Sequence, residues 1–185
     1  ADGRIAAIEP AIAADCATFD SQGALVSPGF VETHIHLDKS RVVDRCQITE
    51  GTLQEAIRET ARAKAAFTEE DIAARARRTI EKAILAGTMH MRTHVEVDPR
   101  IGLKGFHAVR QIARAYAWAI DVEICVFPQE GMINDPGAED LLIEACRQGA
   151  DRFGCRRDHG LASFQRGTAP PPVPGRDHRR RCGGS

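Results

Sequence analysis

The chain reads as an α/β protein built on a parallel sheet. Strand-like apolar runs alternate with amphipathic helical segments between residues 28 and 151, an order that calls for right-handed crossovers. Val122-Glu123-Ile124-Cys125-Val126-Phe127 is nearly continuously apolar, as a strand covered on both faces requires. Glycine, proline and capping hydroxyls fall between the runs. The length of 185 residues suits one ordinary domain.

Taken in order, residues Gly3 to Glu9 and Ala24 to Ser27 read as two short strands joined by a polar connection through Asp15 and Asp20. Ser27-Pro28-Gly29 makes a turn, and the next strand carries His34 and His36. Thr52 is an N-cap with Glu55 as its capping-box partner, so a helix is expected to about Ala66. A second helix is capped by Thr68, places Glu69, Glu70 and Asp71 in its first turn, runs Ile72, Ala76, Ile80 and Ile84 along one face, and stops at Gly87. Thr88 to Val97 reads as a strand with His90, Arg92, His94 and Glu96 on one parity. Val109, Ile112, Ala113 and Tyr116 give helical spacing, the apolar strand at 122–127 follows, and a last helix is expected from Gly137 to Arg147.

The segment with the most chemistry is Pro28-Gly29-Phe30-Val31-Glu32-Thr33-His34-Ile35-His36-Leu37-Asp38-Lys39. Side chains two apart on a strand share a face, so His34 and His36 point the same way and two imidazoles can grip one ion. Zinc and iron(II) accept neutral imidazole nitrogen, but a catalytic site needs about three protein ligands and an open position. This pair is therefore part of a site. The alternative is a polar strand end hydrogen-bonded to its neighbours; the turn before the pair and the charges of Asp38 and Lys39 after it favour the metal.

Six scattered cysteines without a C-x-x-C pair read as reduced thiols of a cytoplasmic protein. No apolar stretch approaches the roughly 20 residues that span a bilayer, and no secretory signal is visible. Charge is uneven: residues 152–185 hold eight Arg and two Asp, a net of +6, leaving −7 on the residues before them. That tail lacks Lys, Glu, Ile, Met and Tyr and contains Ala169-Pro170-Pro171-Pro172 and Arg179-Arg180-Arg181, so no core segment is expected there. It reads as coding sequence out of frame after residue 151; the alternative is a disordered basic tail that binds nucleic acid by phosphate neutralisation.

Residues 27–39, 51–57, Arg92-Thr93-His94-Val95-Glu96-Val97-Asp98 and Phe127-Pro128-Gln129-Glu130-Gly131 together resemble the amidohydrolase superfamily, in its cytosine deaminase branch. The F-P-Q-E-G turn in company with R-T-H-V is the more specific part, and the likeness ends near Asp151. It implies a TIM-type (β/α)₈ barrel with its chemistry at the carboxyl ends of the strands. Residues 1–27 would be a β-sandwich remnant, 28–151 the first three β/α units, and 152–185 the anomalous tail. The resemblance makes His34 and His36 ligands of Zn²⁺ or Fe²⁺ and gives Gln129 the carbonyl–amide edge of a cytosine-like ring, since a carboxamide both donates and accepts. The alternative for Gln129 is a plain turn residue, and His94 and Glu96 are expected to pack rather than react. The reaction implied is hydrolytic deamination.

The remaining family ligands and carboxyl groups belong to later strands, so the chain is expected to hold no catalytic residue of its own and to be a truncated, inactive piece. His159 and His178 lie in the tail without matching context and receive no role. A relative that removes a substituted amine from a triazine is the second enzyme reading; the weaker hydantoinase-like option needs a modified lysine after a fourth strand. A non-catalytic remnant is the reading from another class. Nucleic acid is disfavoured as a partner, no membrane is expected, and open sheet edges favour association with another copy or chain.

Overall fold

The structure is a computed structural model and describes residues 4–13, 15–157 and 160–165. A five-stranded sheet runs in the order β1-β2-β3-β4-β5: β1 Phe30–Ile35, β2 Thr88–Glu96, β3 Asp121–Phe127, β4 Arg152–Arg157 and β5 Gly160–Gln165. The first four strands are parallel neighbours and β5 is antiparallel to β4. Helices α1 Leu53–Lys64 and α2 Glu69–Leu85 connect β1 to β2, α3 Lys104–Ala115 connects β2 to β3, and α4 Ala138–Arg147 connects β3 to β4. This is the expected start of a (β/α)₈ barrel, three complete β/α units followed by a fourth strand.

Local chemistry sets the boundaries. The Thr52 hydroxyl accepts from the Glu55 amide at 3.2 Å, and Thr68 accepts from Asp71 at 3.2 Å, so both capping residues act as the sequence predicts. The Glu55 carboxylate departs from a capping box. It accepts from the Thr49, Glu50 and Gly51 amides and the Thr49 hydroxyl, all within 2.9 Å, and so fixes the loop before α1 rather than the cap itself. Gly87 ends α2 at φ 88°, a conformation that favours glycine, and its carbonyl accepts from the Phe30 amide at 2.8 Å, tying the helix end to the start of β1.

The core lies between the sheet and α2 and α3. Ile72, Ala76 and Ile80 of α2 and Phe106, Val109 and Ile112 of α3 are buried against Met91, Val95, Val97, Ile124 and Val126. At Gly105 the helix comes so close to the sheet that an added Cβ would lie 3.3 Å from Val95 Cγ1 and 3.4 Å from Asp38 Cβ.

Two expectations are corrected. The strands expected at Gly3 to Glu9 and Ala24 to Ser27 are not formed among the described residues; β1 is the first strand. Ile5, Ile8, Leu25 and Val26 are exposed there, because a strand is held by a hydrogen-bonded neighbour and the described residues offer none. Conversely, β4 forms where the composition after Asp151 predicts no core strand. Asp151 starts it by donating from its amide to Ile124 O at 3.0 Å and accepting from the Ile124 amide at 2.9 Å, and the Arg152 guanidinium pairs with Glu123 of β3. Backbone pairing and one ion pair thus carry an arginine into the sheet. The tail also supplies β5, while His159 and His178 lie outside the described residues.

Two outcomes test this account. Phe106→Ala empties a fully buried site, and urea unfolding is expected to show a loss of about 3–5 kcal/mol. The hydrogen bonds from Thr49 hold the Glu55 carboxyl down from 4.5 to about 2, so its contribution to stability is complete above pH 4.5 and fades as the pH falls towards 2. The urea-midpoint gap between wild type and Glu55→Gln should shrink over that interval; a gap independent of pH would refute the assignment.

Candidate active site at the carboxyl ends of the strands

Beyond the end of β1 the chain stays alongside β2. The Leu37 amide donates to Thr93 Oγ1 at 3.1 Å, and the Asp38 carboxylate accepts from the Glu96 amide at 2.9 Å. Val97 continues the pairing on the other side by donating to Phe127 O at 2.9 Å. These bonds bring residues 36–39, the end of β2 and the turn after β3 to one level, the end of a parallel sheet where α/β proteins place their ligands. A cavity of about 290 Å³ opens there, lined by His36, Lys39, Lys64, Glu96, Gln129 and Glu130, with Ala56, Ile57, Thr60 and Ala61 of α1 as a wall.

His36 is half-buried, and its Nδ1 donates to the His94 carbonyl at 2.9 Å. That bond fixes the tautomer and leaves the Nε2 lone pair uncommitted. Burial, reinforced by nearby Lys39, lowers its pKa to about 4, so the ring is neutral at pH 7, the form that ligates metals. His34 shares the strand end: its ring centroid is 5.3 Å from that of His36, and it stacks on His94 at 4.0 Å. The residues present therefore fit a divalent ion at His34 and His36 as a two-imidazole set. His94 is buried with its Nδ1 unpartnered, and burial likewise lowers its pKa to about 4.

The floor of the cavity is ionic. Glu96, 2% exposed, accepts from Lys39 Nζ at 3.0 Å and pairs with Lys64, which also donates to Asp98 Oδ2 at 2.9 Å. Asp98 Oδ1 in turn accepts from the Arg100 and Ile101 amides at 2.7 and 3.0 Å. Burial pushes Glu96 up, whereas the hydrogen bond from Lys64 holds Asp98 below the usual carboxylate range against its burial. The same two carboxylates outweigh burial at Lys64 and raise it. Glu96, Asp98 and Glu130 are also the one group of three potential metal ligands gathered among the described residues, but Lys64 already neutralises two of them.

The structure thus places two of the three sequence-predicted residues, His36 and Gln129, in one cavity, whereas His34 does not line it and is exposed beside His36, stacked on His94. Glu96, expected only to pack, lines the cavity. In the sequence Lys39 reads as a flanking charge and nothing marks Lys64: a lysine in a last helical turn reads as a partner for the helix dipole, and only the fold shows it facing Glu96.

The amidohydrolase family signature matches residues 17–119. The chain is similar to N-isopropylammelide isopropyl amidohydrolase of Pseudomonas sp. (strain ADP), 31% identical over 147 residues, which is 73% of this chain and 35% of that protein. It is 29% identical over 152 residues to pterin deaminase of Rhizobium rhizogenes (strain K84 / ATCC BAA-868), covering 76% of this chain and 33% of that one. Among solved structures, 5-methylcytosine deaminase from Klebsiella pneumoniae, liganded with 5-fluorocytosine, superposes with a TM-score of 0.70 at 37% identity over 82% of this chain and 36% of that one. The chain spans about a third of the length of these proteins.

Removing Lys64 leaves Glu96 and Asp98 buried without their shared cation. Lys64→Met is expected to cost about 3–5 kcal/mol in urea unfolding, far more than an exposed lysine. A cost below about 1 kcal/mol would show that the cluster does not hold α1 to the sheet.

Proposed function

We propose, for a chain that belongs to the amidohydrolase family, that His34 and His36 hold a divalent ion and that Gln129 orients a cytosine-like ring for hydrolytic removal of its exocyclic amine. The observation that carries this reading is the single cavity shared by His36 and Gln129. Neutral imidazoles suit Zn²⁺ or Fe²⁺. Such an ion, when bound, supplies hydroxide near neutral pH by lowering the pKa of its water.

The chain's own residues bind and orient. His36 offers one nitrogen, its other being committed to the His94 carbonyl. Gln129 presents a carboxamide to the polar edge of the ring, and the side chains of Ala56 and Ile57 give the cavity an apolar wall on one side. Proton transfer is a different matter. Of the two carboxyl groups that line the cavity among the described residues, Glu96 is committed to Lys39 and Lys64, and Glu130 lies 3.8 Å from Arg100. Two imidazoles are also one ligand short of the usual catalytic complement. On this reading residues 28–151 supply the substrate-orienting part of a deaminase, and the 185-residue chain by itself does not turn over.

The second reading, hydrolysis of an N-alkyl substituent on a triazine, is supported by the 31% identity to N-isopropylammelide isopropyl amidohydrolase. The 37% identity to 5-methylcytosine deaminase and the carboxamide of Gln129 in the cavity favour a cytosine-like ring. In titrations monitored by NMR, cytosine is expected to shift cavity resonances at lower concentration than N-isopropylammelide; the reverse order would favour the second reading.

Equilibrium dialysis against Zn²⁺ should show weak binding that His34→Ala or His36→Ala abolishes. Ammonia release from cytosine by the wild-type chain with Zn²⁺ or Fe²⁺ should not exceed that of the His34→Ala variant. Zinc uptake indifferent to both substitutions would remove the metal assignment, and ammonia release well above the control would refute the inactivity of the chain.

A further inference from the structure

We infer that Lys39 fixes which hydrogen-bonding face Gln129 turns to the cavity, so that the site selects a ring with an acceptor, a carbonyl oxygen, over one with an amino group at the same edge. The inference rests on the reading of Gln129 as the ring-binding residue and adds what that residue selects.

Lys39 Nζ lies 3.4 Å from Gln129 Oε1, 3.0 Å from Glu96 Oε2 and 5.1 Å from the centre of the Phe127 ring. An ammonium only donates, so the carboxamide atom facing it must be the oxygen. Turning the amide over would set its NH₂ against a cation with no acceptor between them. Gln129 makes no other hydrogen bond among the described residues, and its NH₂ is the polar group left to meet a ligand.

Lys39 is itself held in place. Its partner Glu96 is buried and pairs with Lys64, Lys64 donates to Asp98, and Asp98 accepts from the backbone amides of Arg100 and Ile101. The carboxamide orientation therefore rests on a chain of charged hydrogen bonds that ends on backbone. Lys39 is a positioning residue here: it acts on the ligand through Gln129. A donor facing a donor at the half-buried Gln129 leaves both without a partner, which is worth roughly tenfold in affinity.

The test compares cytosine, with an oxo group, against 2,4-diaminopyrimidine, with an amino group at the same ring position, at a pH where both are uncharged. Dissociation constants are taken from NMR titration of the full 185-residue chain. Wild type is expected to prefer cytosine by about tenfold or more. Lys39→Met frees the amide to turn and should bring the two ligands within about threefold, and Lys39→Arg, which still donates, should restore the preference. Gln129→Glu keeps the pair with Lys39 but donates nothing, and should lose the preference for cytosine. In the free protein, the side-chain amide resonances of Gln129 should move in Lys39→Met and stay near their wild-type position in Lys39→Arg. A preference unchanged in Lys39→Met but abolished in Gln129→Ala would overturn the role of Lys39 and leave the ring reading standing. Affinities for both ligands untouched by Gln129→Ala would overturn that reading and this inference together, and an unmoved Gln129 amide in Lys39→Met would overturn the inference without any ligand.

Discussion

Glu96 sits where four segments meet, and it is buried. It stands at the end of β2, takes one lysine from the stretch after β1 and another from the last turn of α1, and reaches the turn after β3 through Lys39 and Gln129. A carboxylate taken out of water costs several kcal/mol unless cations and donors replace the lost hydration. Both lysines are therefore obliged to stay. That obligation closes α1 over the end of the sheet and gives the cavity its wall, alongside the bonds from Gln47 to Glu59 and from Arg62 to the Arg45 carbonyl.

The functional groups inherit their placement from this arrangement. His36 reaches the cavity because Leu37 and Asp38 are pinned to Thr93 and to the Glu96 amide. Its tautomer follows from the carbonyl of His94, the residue whose ring stacks on His34. Backbone geometry at the strand ends thus decides which nitrogen of His36 is free, while the buried ions decide where Lys39 points. The acidic trio of Glu96, Asp98 and Glu130 has enough oxygen to attract a cation, but two of its members already answer to Lys64, and for that reason the proposal puts the ion at the imidazole pair.

Much of this was legible from local chemistry. Thr52 and Thr68 cap the helices assigned to them, Gly87 stops α2, and the H-x-H pair lands at the end of β1, because each depends on a few adjacent residues. What escaped depends on partners far along the chain. The apolar residues of 3–9 and 24–27 read as strands, yet a strand is a property of a pair, and the described chain gives them no neighbour. Arg152 reads as a break, but it pairs with Glu123, which Arg92 also contacts, and Asp151 supplies the first rung of β4. Lys64 looks like an ordinary exposed helix end until Glu96 and Asp98, more than thirty residues on, are folded against it.

A crystal of the chain soaked with zinc and cytosine, measured at the zinc absorption edge, reaches the central claim directly. The account predicts an anomalous peak against the His34 and His36 rings and ring density between His36 and Gln129. A peak among Glu96, Asp98 and Glu130, with the ring absent from the cavity, would contradict it.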